Sequence, residues 1–188
     1  MFDGVRLIRY ASGLMKKTSS FMLKVLRVGE PQRAMRVNTP QRAAKYWSSV
    51  VKNQSWFDTN KEHLVVLILS AKYNIQGYSL VSIGSLNESI AHPREIFRAA
   101  VAAGAYGIIL MHNHPSGDPT PSTSDRGLIE RTNEAGELLA IQVLDHIIIG
   151  KNRSYFSWRD EADAIAEKNR RRRKLRKRHS KGLKTSAT

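Results

Sequence analysis

The chain has 188 residues, 41% of them hydrophobic and 25% charged, which suits one compact globular domain with a core of its own. It has no cysteine, and this excludes disulfide frameworks, thiolate zinc sites and cysteine nucleophiles, so any metal has to be held by His, Asp or Glu. The formal net charge of +15 sits at the ends: residues 168–188 carry 11 Lys or Arg and no acid, residues 1–36 carry 8 bases and 2 acids, and the stretch between is nearly neutral.

Residues 1–36 read as a basic N-terminal extension with short apolar patches such as Phe21-Met22-Leu23. The domain proper is predicted over residues 37–160. Thr39-Pro40 opens it as an N-cap followed by proline at the first helical position, ahead of Ala43, Ala44, Tyr46, Trp47, Val50 and Val51 at amphipathic spacing. Residues 62–70, EHLVVLILS, are almost continuously apolar and predict a strand covered on both faces, with a more alternating strand from Gly77 to Ser85 after a turn near Tyr73-Asn74. Pro93 starts a helix that Gly104 stops, and Tyr106 to Met111 is a second buried strand. The loop HNHPSGDPTPS follows, then a helix from Ser122, a strand from Ile141 to Ile149, and a short strand near Tyr155. A terminal helix begins near Asp160, and residues 161–188 are expected to pass from that helix into a disordered basic tail. This order predicts an α/β fold with helices packed on a central mixed sheet.

The longest apolar runs, Val65 to Leu69 and Ile108 to Met111, fall far short of the roughly 20 residues that a membrane-spanning helix needs. The N-terminal region has no uninterrupted apolar stretch of the kind a signal peptide carries, so a cytoplasmic address and no membrane partner are expected. Nothing in the sequence sets an oligomeric state.

The chemistry concentrates in His112-Asn113-His114-Pro115 and Ser122-Thr123-Ser124-Asp125. In extended backbone, residues i and i+2 project to one side, so His112 and His114 can offer two imidazoles to one ion. Pro115 disfavours the helical region for His114 and holds it extended. Asp125 lies in the first turn of the helix opened by Ser122, where the loop can fold back and supply a third ligand. Two His and one carboxylate suit Zn²⁺ with a position left for solvent, the arrangement of a catalytic site. Glu62, at the head of the buried strand, is the candidate base for that water, and Ser122 can donate to the oxyanion formed on a carbonyl.

Plainer readings stand beside these. His-x-His spacing alone is weak support for a metal, Ser122-x-x-Asp125 is also an ordinary capping box, and Gly117 with its neighbouring prolines can serve purely as a turn. Asp145-His146 reads as a hydrogen-bonded pair within a strand, His92-Pro93-Arg94-Glu95 as a helix start, and Trp47, Trp56 and Trp158 as packing residues. His63 is expected on the face opposite Glu62.

The string HNHPSGDPTPSTSD nevertheless resembles the signature of the JAB/MPN (JAMM) metallopeptidases and, more closely, the bacterial RadC family; HPREIFRAAV and LDHIIIG resemble RadC segments in order and spacing. The resemblance spans about residues 38–158. It implies a three-layer α/β/α sandwich of the cytidine-deaminase-like kind, zinc ligands at His112, His114 and Asp125, a catalytic Glu62, Ser122 at the oxyanion, and a peptide or isopeptide substrate. It also implies, as the alternative, a DNA-associated repair or mobile-element accessory protein whose metal site does not turn over. The 36 residues ahead of the domain lack the glycine pattern of the helix-hairpin-helix region of longer RadC proteins, so a short form is expected. The basic tail has no counterpart in that pattern; it reads either as a contact for non-specific nucleic acid or as a plain solubilising tail.

Overall fold

A computed structural model describes residues 35–84 and 91–185, with side chains as far as Lys174. Among these residues the elements are α1 (Pro40–Ser49), a 3₁₀ turn (Val51–Asn53), β1 (His63–Leu69), β2 (Ile75–Ile83), α2 (Pro93–Ala102), β3 (Gly107–Asn113), α3 (Thr123–Leu139), β4 (Gln142–Ile149), β5 (Tyr155–Ser157) and α4 (Trp158–Thr185). The N-terminal extension lies almost wholly outside the described residues.

The strands form one mixed sheet in the order β2-β1-β3-β4-β5. β1 pairs antiparallel with both β2 and β3, whereas β3 and β4 are parallel and joined by the α3 crossover. All seven residues of β1 and all seven of β3 are buried, as expected for central strands covered on both faces.

The period-2 alternation of strands separates two cores. Val65, Leu67 and Leu69 of β1 and Ile109 and Met111 of β3 pack with Ala43, Trp47 and Val51 on one face. Leu64, Val66, Ile108 and Leu110 pack with Ile96, Phe97 and Ala100 of α2 and Leu128 of α3 on the other. The result is a helix–sheet–helix sandwich of three layers, as the sequence resemblance implies. Thr39 caps α1 through its hydroxyl, 3.4 Å from the Arg42 amide, and His92 caps α2 through Nδ1, 3.2 Å from the Arg94 amide. Glu95 pairs with Arg94 and Arg98, so this segment is a helix start.

The terminal helix expected from Asp160 into the Arg cluster is present, and its backbone stays helical to Thr185, through the basic run where charge repulsion argues for disorder. Residues 158–181 contain neither glycine nor proline and are rich in Ala, Arg and Lys, all strong helix formers. Asp160 and Glu161 favour the positive N-terminal end, and Glu167 pairs with Arg171 one turn on at 2.9 Å. Residues 162–174 are exposed, so this stretch of the helix stands away from the sandwich. Among the described residues no helix is long and apolar enough to cross a membrane.

Candidate metal centre

β3 carries His112 at its penultimate position, on the same face as Ile108 and Leu110, and His114 follows one residue past the strand. His112 lies opposite Leu64 in the β1 register, so Glu62, two residues ahead of Leu64, comes to the same end of the sheet. The loop after His114 turns at Gly117, whose φ of +89° suits a residue without Cβ, and its amide donates to the His114 carbonyl at 2.9 Å. The chain then enters α3, whose first turn lowers Asp125 onto the histidines.

His112 Nε2 lies 3.0 Å from His114 Nε2 and 3.1 Å from Asp125 Oδ1, and His114 Nε2 lies 3.6 Å from Asp125 Oδ2. Tetrahedral ligands about 2.0–2.1 Å from one Zn²⁺ would stand roughly 3.3 Å apart, a value that falls within the range of these separations. Glu62 Oε1 stands further off, 3.6 Å from His112 Nε2 and 4.0 Å from His114 Nε2. All four residues offer atoms within 4.8 Å of one another, a cluster able to hold a metal ion. His112 is fully buried and Asp125 nearly so, whereas the side chains of His114 and Glu62 are 17% and 20% exposed, leaving the site reachable from that side.

The surrounding hydrogen bonds suit ligation. His114 Nδ1 lies 2.7 Å from the Asp118 carbonyl, which only accepts, so Nδ1 carries a proton; Nε2 then offers its lone pair to an ion in the neutral ring and donates to Asp125 in the protonated one. Without an ion, the hydrogen bond to the Asp125 carboxylate raises the His114 pKa, outweighing burial. Burial raises the Asp125 pKa, but hydrogen bonds from His112, His114 and Ser122 prevail and hold the carboxyl well below the usual range. Asp125 is therefore an anion.

Ser122 closes a complete capping box: Oγ accepts from the Asp125 amide at 3.2 Å, and Asp125 Oδ2 accepts from the Ser122 amide at 2.7 Å. Its hydroxyl also lies 2.6 Å from Asp125 Oδ2 and donates to it. The capping and ligand readings of Ser122-x-x-Asp125 thus coexist in one geometry. The single hydroxyl proton is given to Asp125, so donation to an oxyanion requires that it first be released.

Two residues matter more than their sequence context suggested. Asn113, between the two histidines, donates from Nδ2 to the Lys61 carbonyl at 2.9 Å and accepts from the His63 amide at 3.1 Å, holding both peptide units that flank Glu62. His63 itself lies on the opposite face, stacked on Phe57, as expected. The second is His146. Asp145 and His146 are hydrogen-bonded as expected, but only through the His146 amide, because successive strand side chains point apart. Asp145 accepts from the Ser157 hydroxyl at 2.7 Å, the Arg159 amide at 3.1 Å and the His146 amide at 2.8 Å, tying β4 to the start of α4. The His146 ring is fully buried, with Nε2 2.9 Å from His112 Nδ1. Burial, and then the neighbouring His112, hold its pKa well below the ordinary imidazole value. The signal for this pairing was the strand–helix–strand order, which makes β4 the parallel neighbour of β3. The tryptophans pack as expected: Trp47 is buried, Trp56 lies against His63, and Trp158 stacks on His146 with ring centroids 4.8 Å apart.

Residues 37–163 match the family model described as the RadC-like JAB domain. A UPF0758 protein of Chlorobaculum tepidum is 50% identical over 105 residues, 56% of this chain and 47% of that protein. A UPF0758 protein of Thermotoga maritima is 45% identical over 103 residues, 55% of this chain and 46% of its own length. A third, from Caldanaerobacter subterraneus, is 55% identical over 94 residues, 50% of this chain and 40% of that relative. The chain therefore spans about half the length, or less, of these curated relatives.

Proposed function

The chain belongs to the RadC-like JAB-domain family, and from that premise we propose that it is a zinc-dependent hydrolase of peptide or isopeptide bonds acting in the cytoplasm. One observation carries the reading. The Nε2 atoms of His112 and His114 lie 3.0 Å apart, Asp125 presents Oδ1 3.1 Å from the first and Oδ2 3.6 Å from the second, and the Glu62 carboxylate is set back at 3.6 and 4.0 Å. The donor set is nitrogen and oxygen without sulfur, with three protein ligands rather than four, which suits catalytic more than structural zinc.

His112, His114 and Asp125 would hold the ion, which when bound supplies Lewis-acid charge to an attacking water and to the carbonyl oxygen. Glu62, partly exposed beside the ligands, takes the proton of that water and passes it to the leaving amine. Asn113 keeps Glu62 in place by gripping the backbone on both sides of it. Ser122 orients Asp125 and, once its hydroxyl is released, can give a hydrogen bond to the developing oxyanion.

The test uses the full chain loaded with zinc and presented with linear and branched peptides. Wild type is expected to cleave one class. Glu62→Gln is expected to keep the metal and lose roughly 10²–10⁴-fold in rate. Wild-type turnover by that variant removes the general-base role, and no cleavage of either class removes the peptidase reading.

A second reading has its own observation, the exposed basic run of α4. From Lys168 onward the sequence carries 11 bases and no acid, and residues 168–174 are all exposed. A helix is about 10–12 Å across, close to the ~12 Å width of a duplex major groove. In this reading the domain is a nucleic-acid-associated accessory protein, in repair or on a mobile element, whose metal site does not turn over.

A further inference from the structure

We propose that His146 is a positioning residue for the metal site: its Nε2 accepts a hydrogen bond from His112 Nδ1 and so fixes both the orientation and the tautomer of that ligand. This rests on the metal reading above and goes beyond it, since His146 lies too deep to touch an ion or a substrate.

The geometry starts from His112. Its Nε2 faces His114, Asp125 and Glu62, so a ligating His112 must leave Nε2 unprotonated and carry its proton on Nδ1. Nδ1 points away from the cluster, and its partner is His146 Nε2 at 2.9 Å. His114 solves the same problem with a carbonyl, which can only accept. An imidazole can either accept or donate, so the His112 tautomer depends on where His146 keeps its own proton.

The other nitrogen of His146 supplies a second, independent observation. Nδ1 is buried and, among the described residues, has no hydrogen-bond partner. None of the described neighbours donates to that atom or accepts from it, so the choice is made at the His112 side. Without an ion, His146 can donate from Nε2 to His112 Nδ1, while His112 donates from Nε2 to Asp125. With His112 Nε2 committed to an ion, the shared hydrogen bond must run the other way, from His112 to His146. The His146 ring cannot turn aside to avoid this, because it is stacked on Trp158 at an interplanar angle of 11° and sits in the register position opposite Leu110.

Outer residues of this kind typically change metal affinity by about 10–100-fold when removed. Two variants separate hydrogen bonding from packing. His146→Phe keeps an aromatic ring against Trp158 but removes the acceptor; His146→Gln returns an amide oxygen able to accept. Zinc affinity is measured on the full chain by competition with a chelator. His146→Phe is expected to bind about 10–100-fold more weakly, with His146→Gln recovering most of the loss. A ligand-shell readout accompanies it: the Co²⁺ absorption bands are expected to change in His146→Phe and return toward wild type in His146→Gln.

The wild-type chain gives an answer that needs no variant. Nitrogen-15 NMR of the zinc-loaded protein is expected to show His112 protonated at Nδ1, and His146 protonated at Nδ1 with Nε2 bare. A proton on His146 Nε2 in the zinc-loaded protein overturns the inference, as does unchanged zinc affinity in His146→Phe. If wild type takes up no zinc, the metal reading falls and this inference falls with it; if wild type binds zinc and either of those two results appears, only the inference falls.

Discussion

Asn113 and His63 meet twice: the Asn113 carboxamide oxygen lies 3.1 Å from the His63 amide nitrogen and 3.2 Å from His63 Nδ1. The Asp58 amide donates to the other ring nitrogen at 3.3 Å, so His63 keeps its proton on Nδ1 and donates it to Asn113. Together with the bond from Asn113 to the Lys61 carbonyl, this fastens the entry of β1 to the exit of β3, where Glu62 and the two histidines have to coincide.

Removing that fastening is expected to be costly. Asn113→Ala leaves the His63 amide and the Lys61 carbonyl unsatisfied, and about 2–4 kcal/mol should be lost in denaturant unfolding. Zinc stoichiometry is expected to survive while turnover falls, because the ligands stay and the Glu62 backbone loosens. A variant as stable and as active as wild type contradicts the positioning role.

Ser122→Ala removes the hydroxyl that both caps α3 and donates to Asp125. A stability loss of about 0.5–2 kcal/mol is expected in metal-free unfolding. Zinc affinity is expected to fall too, because one of the two Ser122 bonds that hold Asp125 Oδ2 is gone. Ser122→Thr keeps the hydroxyl and should stay near wild type in both measurements.

Asp145 provides a pH test away from the metal ligands. Burial raises its pKa, even though three hydrogen bonds lower it. For a carboxyl whose folded pKa is raised, the stabilisation is complete below the unfolded value of about 3.9 and is lost as pH climbs through the higher folded value. Wild type should therefore lose ground relative to Asp145→Asn as pH rises from about 4 toward neutrality, measured by denaturant unfolding of both. Asp145→Ala, which strands three donors, is expected to lose about 2–5 kcal/mol at any pH. A wild-type advantage over Asp145→Asn that grows with pH contradicts this account.

Much of this architecture is legible from residue types. The apolar runs around Val65–Leu69 and Ile108–Met111 announced central strands, and Thr39-Pro40 and Ser122 marked helix starts to within a residue. The ligand geometry was legible because each part of it is local: i and i+2 in a strand, proline after the second histidine, an acid in a helix's first turn. What stayed hidden depended on register. Asn113 looks like a spacer until β1 is set beside β3, and His146 looks like half of a pair with Asp145 until β4 is set parallel to β3. The α4 helix was obscured for a different reason: repulsion within a block of like charge argues for disorder, whereas the intrinsic preference of Arg, Lys and Ala argues for helix, and sequence alone does not weigh one against the other.

The nucleic-acid reading makes a separate prediction. The full chain should bind duplex DNA with an affinity that falls steeply with salt, as counterion release requires, and deletion of residues 168–188 should abolish it. If the truncated chain binds as well as the full one, α4 is not the contact surface; if vesicles of anionic lipid compete better than duplex, its polyanion is not nucleic acid.

Every role proposed for this site depends on one divalent ion binding among His112, His114 and Asp125. Elemental analysis of the purified full chain after zinc loading and desalting tests this most directly, alongside the double variant His112→Ala, His114→Ala checked for native folding by circular dichroism. About one zinc per chain in wild type and none in the folded double variant is the predicted result. Zinc absent from wild type, or retained undiminished by the variant, would contradict it.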